Sequence, residues 1–271
     1  MGNWQAVVLG VVQGVAEFLP ISSSGHLVAV PTIMGWPEHS LQFDVSLHMG
    51  TLLALLVFFR RDWMALALAL AGRGSGLPAE IQDRRRLAIT LLAACVPAAV
   101  AGVVLERAAE STFRSPWLVA STLSVAGLVM LIADRRFAGT RSLKEATLAD
   151  GMLIGVAQVL ALVPGVSRSG ATITAGLMCR LSRADAARFS FLLSVPITLG
   201  AGLYGLRDLV SGGMPPEAVA PFAAGMAASA VVGYVTIAFL LDYLRKHSLA
   251  LFVYYRWAFA LLLLIMAAVR G

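Results

Sequence analysis

The sequence contains few charged residues. Asp, Glu, Lys and Arg make up 13% of the 271 residues, about half of the roughly 25% that is usual in soluble domains. Hydrophobic residues make up 59%, and the mean hydropathy is +0.82. A soluble fold has too little interior to bury so much apolar surface, so lipid must be the solvent for most of the chain. The apolar runs are continuous rather than alternating, which excludes membrane-spanning β-strands.

Cysteine is scarce as well. Cys95 and Cys179 both lie within apolar segments, and no CxxC spacing occurs, so packing roles are favoured over a disulfide or a zinc site. A cleaved signal peptide is disfavoured, because the first segment lacks a basic start and contains Gln13 and Glu17. The net charge of +6 is expected to mark cytoplasmic loops that contact anionic membrane lipid, and not a nucleic-acid surface.

We predict an all-α polytopic membrane protein with a single membrane domain, residues 1–271. Six apolar segments are long enough to cross a bilayer, namely 43–59, 87–105, 116–133, 187–206, 218–241 and 249–269. Two more apolar regions, 3–34 and 149–180, are broken in the middle by Pro, Gly and Ser. Their halves, roughly 12 to 17 residues each, are too short to cross alone. They are predicted to be re-entrant helical hairpins.

The distribution of basic residues predicts the orientation of the chain. Positively charged loops belong in the cytoplasm, and the loops with net positive charge are 60–86, 134–145, 180–188 and 242–246. The loops 106–115 and 207–217 carry no net positive charge and are placed outside. The first hairpin then enters from the outside and the second from the cytoplasm, so their broken tips can meet within the membrane.

An internal repeat supports this arrangement. With an offset of 145 residues, segment 10–25 matches segment 155–170 at seven of sixteen positions. The matches that depend least on apolar composition are Gln13 with Gln158 and the S-x-S-G triplets that end at Gly25 and Gly170. We therefore predict two inverted-topology repeats, approximately 1–133 and 146–271, an architecture that places polar sites near the bilayer midplane.

The two copies differ in the residues that could carry out chemistry. The first copy has Glu17, Ser23 and His26, where the second has Leu162, Arg168 and Ala171. A carboxylate at hydrocarbon depth is costly and marks a functional site. Because Gln13 lies one helical turn before Glu17, the pair is predicted to hold a divalent cation through oxygen ligands, with Glu17 acting as a base as the alternative.

Both tips, PISSSGH (20–26) and PGVSRSGAT (164–172), combine hydroxyl groups with glycine. If a helix begins at each tip, its free N–H groups and a nearby arginine form a cradle for an oxyanion, most naturally phosphate. Helix capping alone is the other interpretation of these serines. Arg256 interrupts the last span and either snorkels to the interface or reaches the substrate. The predicted substrate-binding residues are Ser22, Ser24, Gly25, Ser167, Ser169, Gly170, Thr172 and Arg256.

The segments QGVAEFLPISSSGH (13–26) and PGVSRSGAT (164–172), with the YR pair at 255–256, closely resemble the undecaprenyl-diphosphate phosphatase family, the BacA-type bacitracin-resistance proteins. The resemblance covers essentially the whole chain. It implies hydrolysis of undecaprenyl diphosphate at the outer face of the bacterial plasma (inner) membrane, which recycles the lipid carrier of cell-wall synthesis. It also implies a divalent cation, Mg²⁺ or Ca²⁺. The essential positions that it assigns are Glu17, Ser23, His26 and Arg168.

The resemblance leaves several points open. Ser23 is predicted to be the nucleophile, with His26 or Glu17 as its base, and a phosphohistidine on His26 is the alternative. A type 2 phosphatidic-acid phosphatase is excluded, because Thr174 stands where its histidine would be and no Lys-x6-Arg-Pro segment occurs. An isoprenoid-phosphate transporter or flippase is the rival function, since inverted hairpins also build transporters. Monomer and homo-oligomer both stay open.

Overall fold

The computed structural model describes the backbone of residues 1–73, 78–112, 116–212 and 215–270, and the side chains of these residues except 103, 105–116, 204–214 and 270. Within these ranges the chain is helical and contains no β-strand beyond one isolated bridge between Arg141 and Leu181. Most side chains of the loops 106–115 and 207–217, which were used to assign the orientation, lie outside the described residues. The helices are α1 (Asn3–Ala16), α2 (Ser23–Met34), α3 (Leu41–Phe58), α4 (Arg60–Leu70), α5 (Pro78–Thr112), α6 (Pro116–Arg136), α7 (Leu148–Val159), α8 (Arg168–Met178), α9 (Arg183–Gly212), α10 (Pro216–Lys246) and α11 (Ala250–Arg270).

Six of these helices are long and apolar enough to cross a membrane. The spans are Leu41–Phe58, Pro78–Gly102, Trp117–Arg136, Arg183–Leu203, Pro216–Lys246 and Ala250–Val269. Each overlaps one predicted segment, so the prediction of six spans is confirmed. Residues 60–70 were treated as loop but form α4, because Leu66 and Ala69 bury an apolar face of this otherwise exposed helix.

The two regions predicted to be hairpins each contain two short helices separated by a break. Helices α1, α2, α7 and α8 have 14, 12, 12 and 11 residues, so the longest reaches about 21 Å at 1.5 Å per residue, against the ~30 Å of a hydrocarbon core. The second helix of each pair begins directly after a serine with positive φ, Ser22 at 75° and Ser167 at 71°. These positions are 145 residues apart, as in the sequence repeat. The inverted orientation of the two halves stays a prediction.

Glycine lets the first arm of each hairpin lie close to a helix from the other half. A Cβ on Gly14 of α1 would lie 2.9 Å from the backbone nitrogen of Gly233 and from the carbonyl oxygen of Ser229 in α10. Gly151 of α7 faces α5, where an added Cβ would lie 2.9 Å from the carbonyl oxygen of Thr90. The hairpins are therefore held by backbone-to-backbone packing, the usual contact between membrane helices.

The segment that joins the halves is fastened to the base of the second hairpin. Arg141 donates to the carbonyl oxygen of Cys179 at 2.6 Å and to a carboxylate oxygen of Asp150 at 2.9 Å. Its backbone N–H donates to the carbonyl oxygen of Arg180 at 3.2 Å. The backbone N–H of Ser142 bonds the carboxylate of Glu145 and lowers the pKa of that carboxyl group. This base is thus fixed by polar contacts as well as by packing.

Candidate active site

Glu17 is the centre of a polar cluster at the meeting point of the two tips. It follows the last residue of α1 and is 8% exposed. One carboxylate oxygen accepts a bond of 2.7 Å from Nη2 of Arg168, which lies 151 residues further along the chain. The other accepts a bond of 2.6 Å from Oγ of Ser23 and one of 3.1 Å from Nε2 of Gln13. The structure therefore brings together the first tip, the second tip and the end of α1, as the repeat predicts.

The bond between Ser23 and Glu17 has the geometry of a nucleophile and its base. Ser23 is the first residue of α2, and its hydroxyl donates directly to the carboxylate at 2.6 Å. A base must lie within about 2.6–3.2 Å of the proton-bearing atom that it deprotonates. Of the two bases proposed for Ser23, Glu17 meets this requirement here.

His26 has other partners. Its Nδ1 lies 2.7 Å from the carbonyl oxygen of Ser22, which can only accept, so Nδ1 carries the proton. Its Nε2 then accepts from the hydroxyl of Tyr255 at 2.6 Å. The imidazole stacks on Phe259 with ring centroids 4.1 Å apart. Both ring nitrogens are therefore occupied, and His26 fixes the first turn of α2 against α11.

The tip serines and threonine brace the tips themselves. Ser167 caps α8 by accepting from the backbone N–H of Gly170 at 3.2 Å, and its hydroxyl lies 3.2 Å from that of Ser169. Ser169 in turn donates to the carbonyl oxygen of Leu19, directly before the first tip, at 3.1 Å. Thr172 donates to the carbonyl oxygen of Arg168 at 2.8 Å and also contacts a hydroxyl of α9. Capping, the alternative interpretation of these residues, is thus part of their role.

The first tip is arranged similarly but is more open. The hydroxyls of Ser22 and Ser24 lie 3.3 Å apart, and Ser24 is exposed. A Cβ on Gly25 would lie 3.4 Å from the ring of Phe259, which also stacks on His26.

Arg256 lies between α6 and the two tips. It is fully buried at 0% exposure, and its N–H groups all donate to backbone carbonyl oxygens of α6 and of the two tips. No N–H group is left for a substrate phosphate. The carbonyl groups of the broken segments need donors that no helix supplies, and Arg256 provides them. A contact of Arg256 with the substrate stays a prediction.

The cluster has one carboxylate for a cation. Among the described residues no group of three or more His, Cys, Asp or Glu is arranged to hold a metal. However, Oε1 of Gln13 and Nη1 of Arg168 are both buried without a partner. Mg²⁺ is commonly held by one or two carboxylates together with substrate phosphates and water. The unpaired amide oxygen next to Glu17 fits such a site, and the unpaired guanidinium N–H group fits a phosphate.

Some residues of this cluster received no role from spacing or composition. His48 places Nε2 3.7 Å from the Glu17 carboxylate. Tyr255, named from the sequence only as part of the YR pair, bonds to His26. Thr122 of α6 was not considered and donates to the carbonyl oxygen of Pro164 at 2.6 Å. The motif pair 255–256 was the one sequence feature that pointed to α11.

Comparison with known proteins identifies the family of this chain. The family model described as bacitracin resistance protein BacA matches residues 6–262. A protein of Pelotomaculum thermopropionicum named undecaprenyl-diphosphatase is 46% identical over 270 residues, which cover 100% of this chain and 98% of that protein. Proteins with the same name from Moorella thermoacetica and Geobacter sulfurreducens are each 48% identical, over 259 residues (96% and 95%) and 258 residues (94% and 95%). The chain belongs to the bacitracin resistance protein BacA family.

Proposed function

We propose that this chain is a membrane phosphatase that hydrolyses undecaprenyl diphosphate to undecaprenyl phosphate and inorganic phosphate. The observation that carries the proposal is the contact of Ser23 and Arg168 with the same buried carboxylate of Glu17. The nucleophile Ser23, its base Glu17 and the guanidinium group of Arg168, which faces the phosphoryl oxygens, thereby belong to one cluster. The names of the relatives support the substrate. The reaction recycles a lipid carrier for cell-wall synthesis and accounts for bacitracin resistance.

The first step is attack by Oγ of Ser23 on the terminal phosphorus. The new Oγ–P bond forms as the P–O bond to undecaprenyl phosphate breaks, and the hydroxyl proton passes to Glu17, 2.6 Å away. Arg168 stabilises the charge on the phosphoryl oxygens, for which its unpaired Nη1 is available. Because its other terminal nitrogen bonds to Glu17, the carboxylate also sets the position of the guanidinium group.

The second step releases inorganic phosphate. Glu17 first gives up the proton taken from Ser23, to the departing undecaprenyl phosphate or to solvent. A water molecule then attacks the phosphorus of the phosphoserine, and Glu17 takes a proton from this water and passes it to Oγ of Ser23 as the Oγ–P bond breaks. The hydroxyl of Ser23 is thereby restored. Each step needs only proton transfer between Glu17, serine and water, without a further reactant.

Glu17 and Oε1 of Gln13 are the residues that would hold the divalent cation, Mg²⁺ or Ca²⁺. When bound, it supplies positive charge to the diphosphate oxygens. Arg168 from the second tip would orient the diphosphate, together with those first-turn N–H groups of α2 and α8 that no side chain caps.

The proposed location is the plasma membrane of a bacterium, with the site open to the outer side. The six apolar spans support a multi-pass membrane protein. The lipid tail of the substrate requires a site that is reached from the bilayer. The basic loops support a cytoplasmic position for the ends of the spans that lie away from the outer side.

Purified protein in detergent tests the proposal. There is no membrane to cross, so a phosphatase should release phosphate from a prenyl diphosphate, whereas a flippase should not. Glu17→Ala and Arg168→Ala should each lower the rate by at least about a hundredfold. Arg245→Ala, at the exposed end of α10, is the matched control and should keep the rate of the parent. Absence of phosphate release with and without Mg²⁺ or Ca²⁺ would support transport instead.

A further inference from the structure

Arg256 is a buried arginine whose partners are all backbone carbonyl groups. Its Nε donates to the oxygen of Leu123 in α6 at 3.1 Å. Nη1 donates to the oxygens of Pro20 at 3.2 Å and Val166 at 3.1 Å, and Nη2 donates to those of Gly165 at 2.9 Å and Val166 at 3.1 Å. One side chain thus joins α6 to both hairpin tips.

The charge of Arg256 has no carboxylate partner among the described residues. A buried cation is normally paired, because leaving water is costly for a charge. Here the carbonyl groups of Pro20, Gly165 and Val166 in the two breaks, and that of Leu123 in α6, take the place of an acid. Arg256 therefore stabilises the carbonyl groups within each break. The N–H groups at the starts of α2 and α8 are left to other ligands.

Both breaks contain backbone that is strained without support. Ser22 and Ser167 have φ of 75° and 71°, a region that residues with a Cβ rarely adopt. Strained residues persist where the surrounding structure holds them. Arg256 bonds the carbonyl group two residues before Ser22 and the one directly before Ser167. Together with the bonds from Ser169 to Leu19 and from Arg168 to Glu17, it holds the two strained turns at a fixed distance from each other.

We infer that Arg256 is a positioning residue for the phosphatase site, and this inference rests on the function proposed above. It fixes the separation of the two tips, and with it the distance from Ser23 on the first tip to Arg168 on the second. The side chain of Arg256 also keeps a positive charge near the phosphate site without contacting the substrate.

Arginine is required by the geometry of this contact. Its planar fork presents five N–H groups in fixed directions, whereas a lysine ammonium has three and no fork. Arg256→Lys keeps the charge and loses the bridge. Since the tips then lose their fixed separation while substrate can still bind, kcat should fall at least about a hundredfold and KM should change by less than about threefold.

The first test compares Arg256→Lys and Arg256→Ala with the parent in detergent. Kinetics are measured with a prenyl diphosphate, and hydrogen exchange is followed by mass spectrometry in the peptides that contain residues 19–27 and 163–171. We expect faster exchange in both peptides for both variants. Added guanidinium ion should restore kcat in Arg256→Ala, where its space is empty, and not in Arg256→Lys. Arg245→Lys is the matched control and should match the parent in every readout.

A second variant acts on the same contact from α6 and avoids removing the arginine. A Cβ on Gly127 would lie 3.5 Å from Nε of Arg256 and 3.3 Å from Nε1 of Trp257. The Cγ atoms of Gly127→Val extend beyond this Cβ, so we expect them to displace Trp257 and with it the guanidinium group of Arg256. We expect at least a tenfold lower kcat and faster exchange in both tip peptides, although residue 127 touches neither tip.

The outcomes separate the inference from the function on which it rests. A large rise in KM with unchanged exchange at the tips would mean that Arg256 binds substrate, and would overturn the inference. Faster exchange in one tip alone would overturn it as well. If the folded parent released no phosphate, the proposed function would fail, and the exchange data would still decide whether Arg256 joins the tips.

Discussion

The double substitution of Glu17 and Ser23 is the most direct test of the proposed chemistry. The bond of 2.6 Å between them implies that Glu17 acts through Ser23 when it removes the proton. General bases contribute about 10²- to 10⁴-fold to rates, which corresponds to about 3–5 kcal/mol at 1.36 kcal/mol per factor of ten. We expect Glu17→Gln to lower kcat/KM by this amount, because the amide fits the same space and cannot take a proton.

Residues that act as one unit are not additive. Ser23→Ala alone should lower kcat/KM by about 10³-fold or more. Adding Glu17→Gln should remove no further base catalysis, so the additional loss should be only the smaller one that follows when Arg168 and the cation lose the charge of the carboxylate. Independent contributions would instead multiply to about 10⁵-fold or more. Arg168→Lys combined with Ser23→Ala provides a comparison with a residue that stabilises charge and does not take the proton.

The assay is single-turnover phosphate release from a prenyl diphosphate in detergent, with thermal melting of each variant as a control for folding. A multiplicative loss in the double variant would refute the role of Glu17 as the base of Ser23. Full activity of Ser23→Ala would remove Ser23 as the nucleophile. A trapped phosphoenzyme that carried its label on His26 would transfer that role to His26.

Three further outcomes are expected. Gln13→Glu should lower the Mg²⁺ or Ca²⁺ concentration for half-maximal activity by about tenfold, because a second carboxylate binds the cation more strongly than an amide oxygen. Metal titration after chelation measures this concentration, and an unchanged midpoint would remove position 13 from the cation site. Tyr255→Phe should lower kcat/KM by less than about tenfold. Nε2 of His26 loses one donor worth about 1 kcal/mol, while the imidazole of His26 keeps its stacking on Phe259. A loss of kcat/KM as severe as that of His26→Ala would give Tyr255 a direct role. Gly14→Ala should lower the free energy of unfolding by about 1–3 kcal/mol through overpacking against α10, as measured by thermal melting in detergent. Gly200→Ala is the control, because a Cβ there meets no atom within 4 Å. Equal melting temperatures of the two variants would contradict the close packing of Gly14.

The location of the spans could be predicted because it depends on local composition. A run of apolar residues is stable in lipid whatever surrounds it, so all six spans were found, with differences at their ends. Helix α4 was missed because its apolar face consists of few residues, such as Leu66 and Ala69, among exposed ones. Its burial depends on the helices it contacts.

The sequence alone also determined that Glu17, Ser23 and Arg168 belong to one site, because the repeat pairs the segments that contain them. Only the tertiary structure decided how their neighbours are used. His26 turns both ring nitrogens toward Ser22 and Tyr255, and Arg256 bonds the carbonyl groups of the tips instead of a phosphate. Spacing in the sequence shows which polar groups are near one another. The partner that each group bonds depends on side-chain directions between segments more than 90 residues apart in the chain, and these are fixed only when the helices pack.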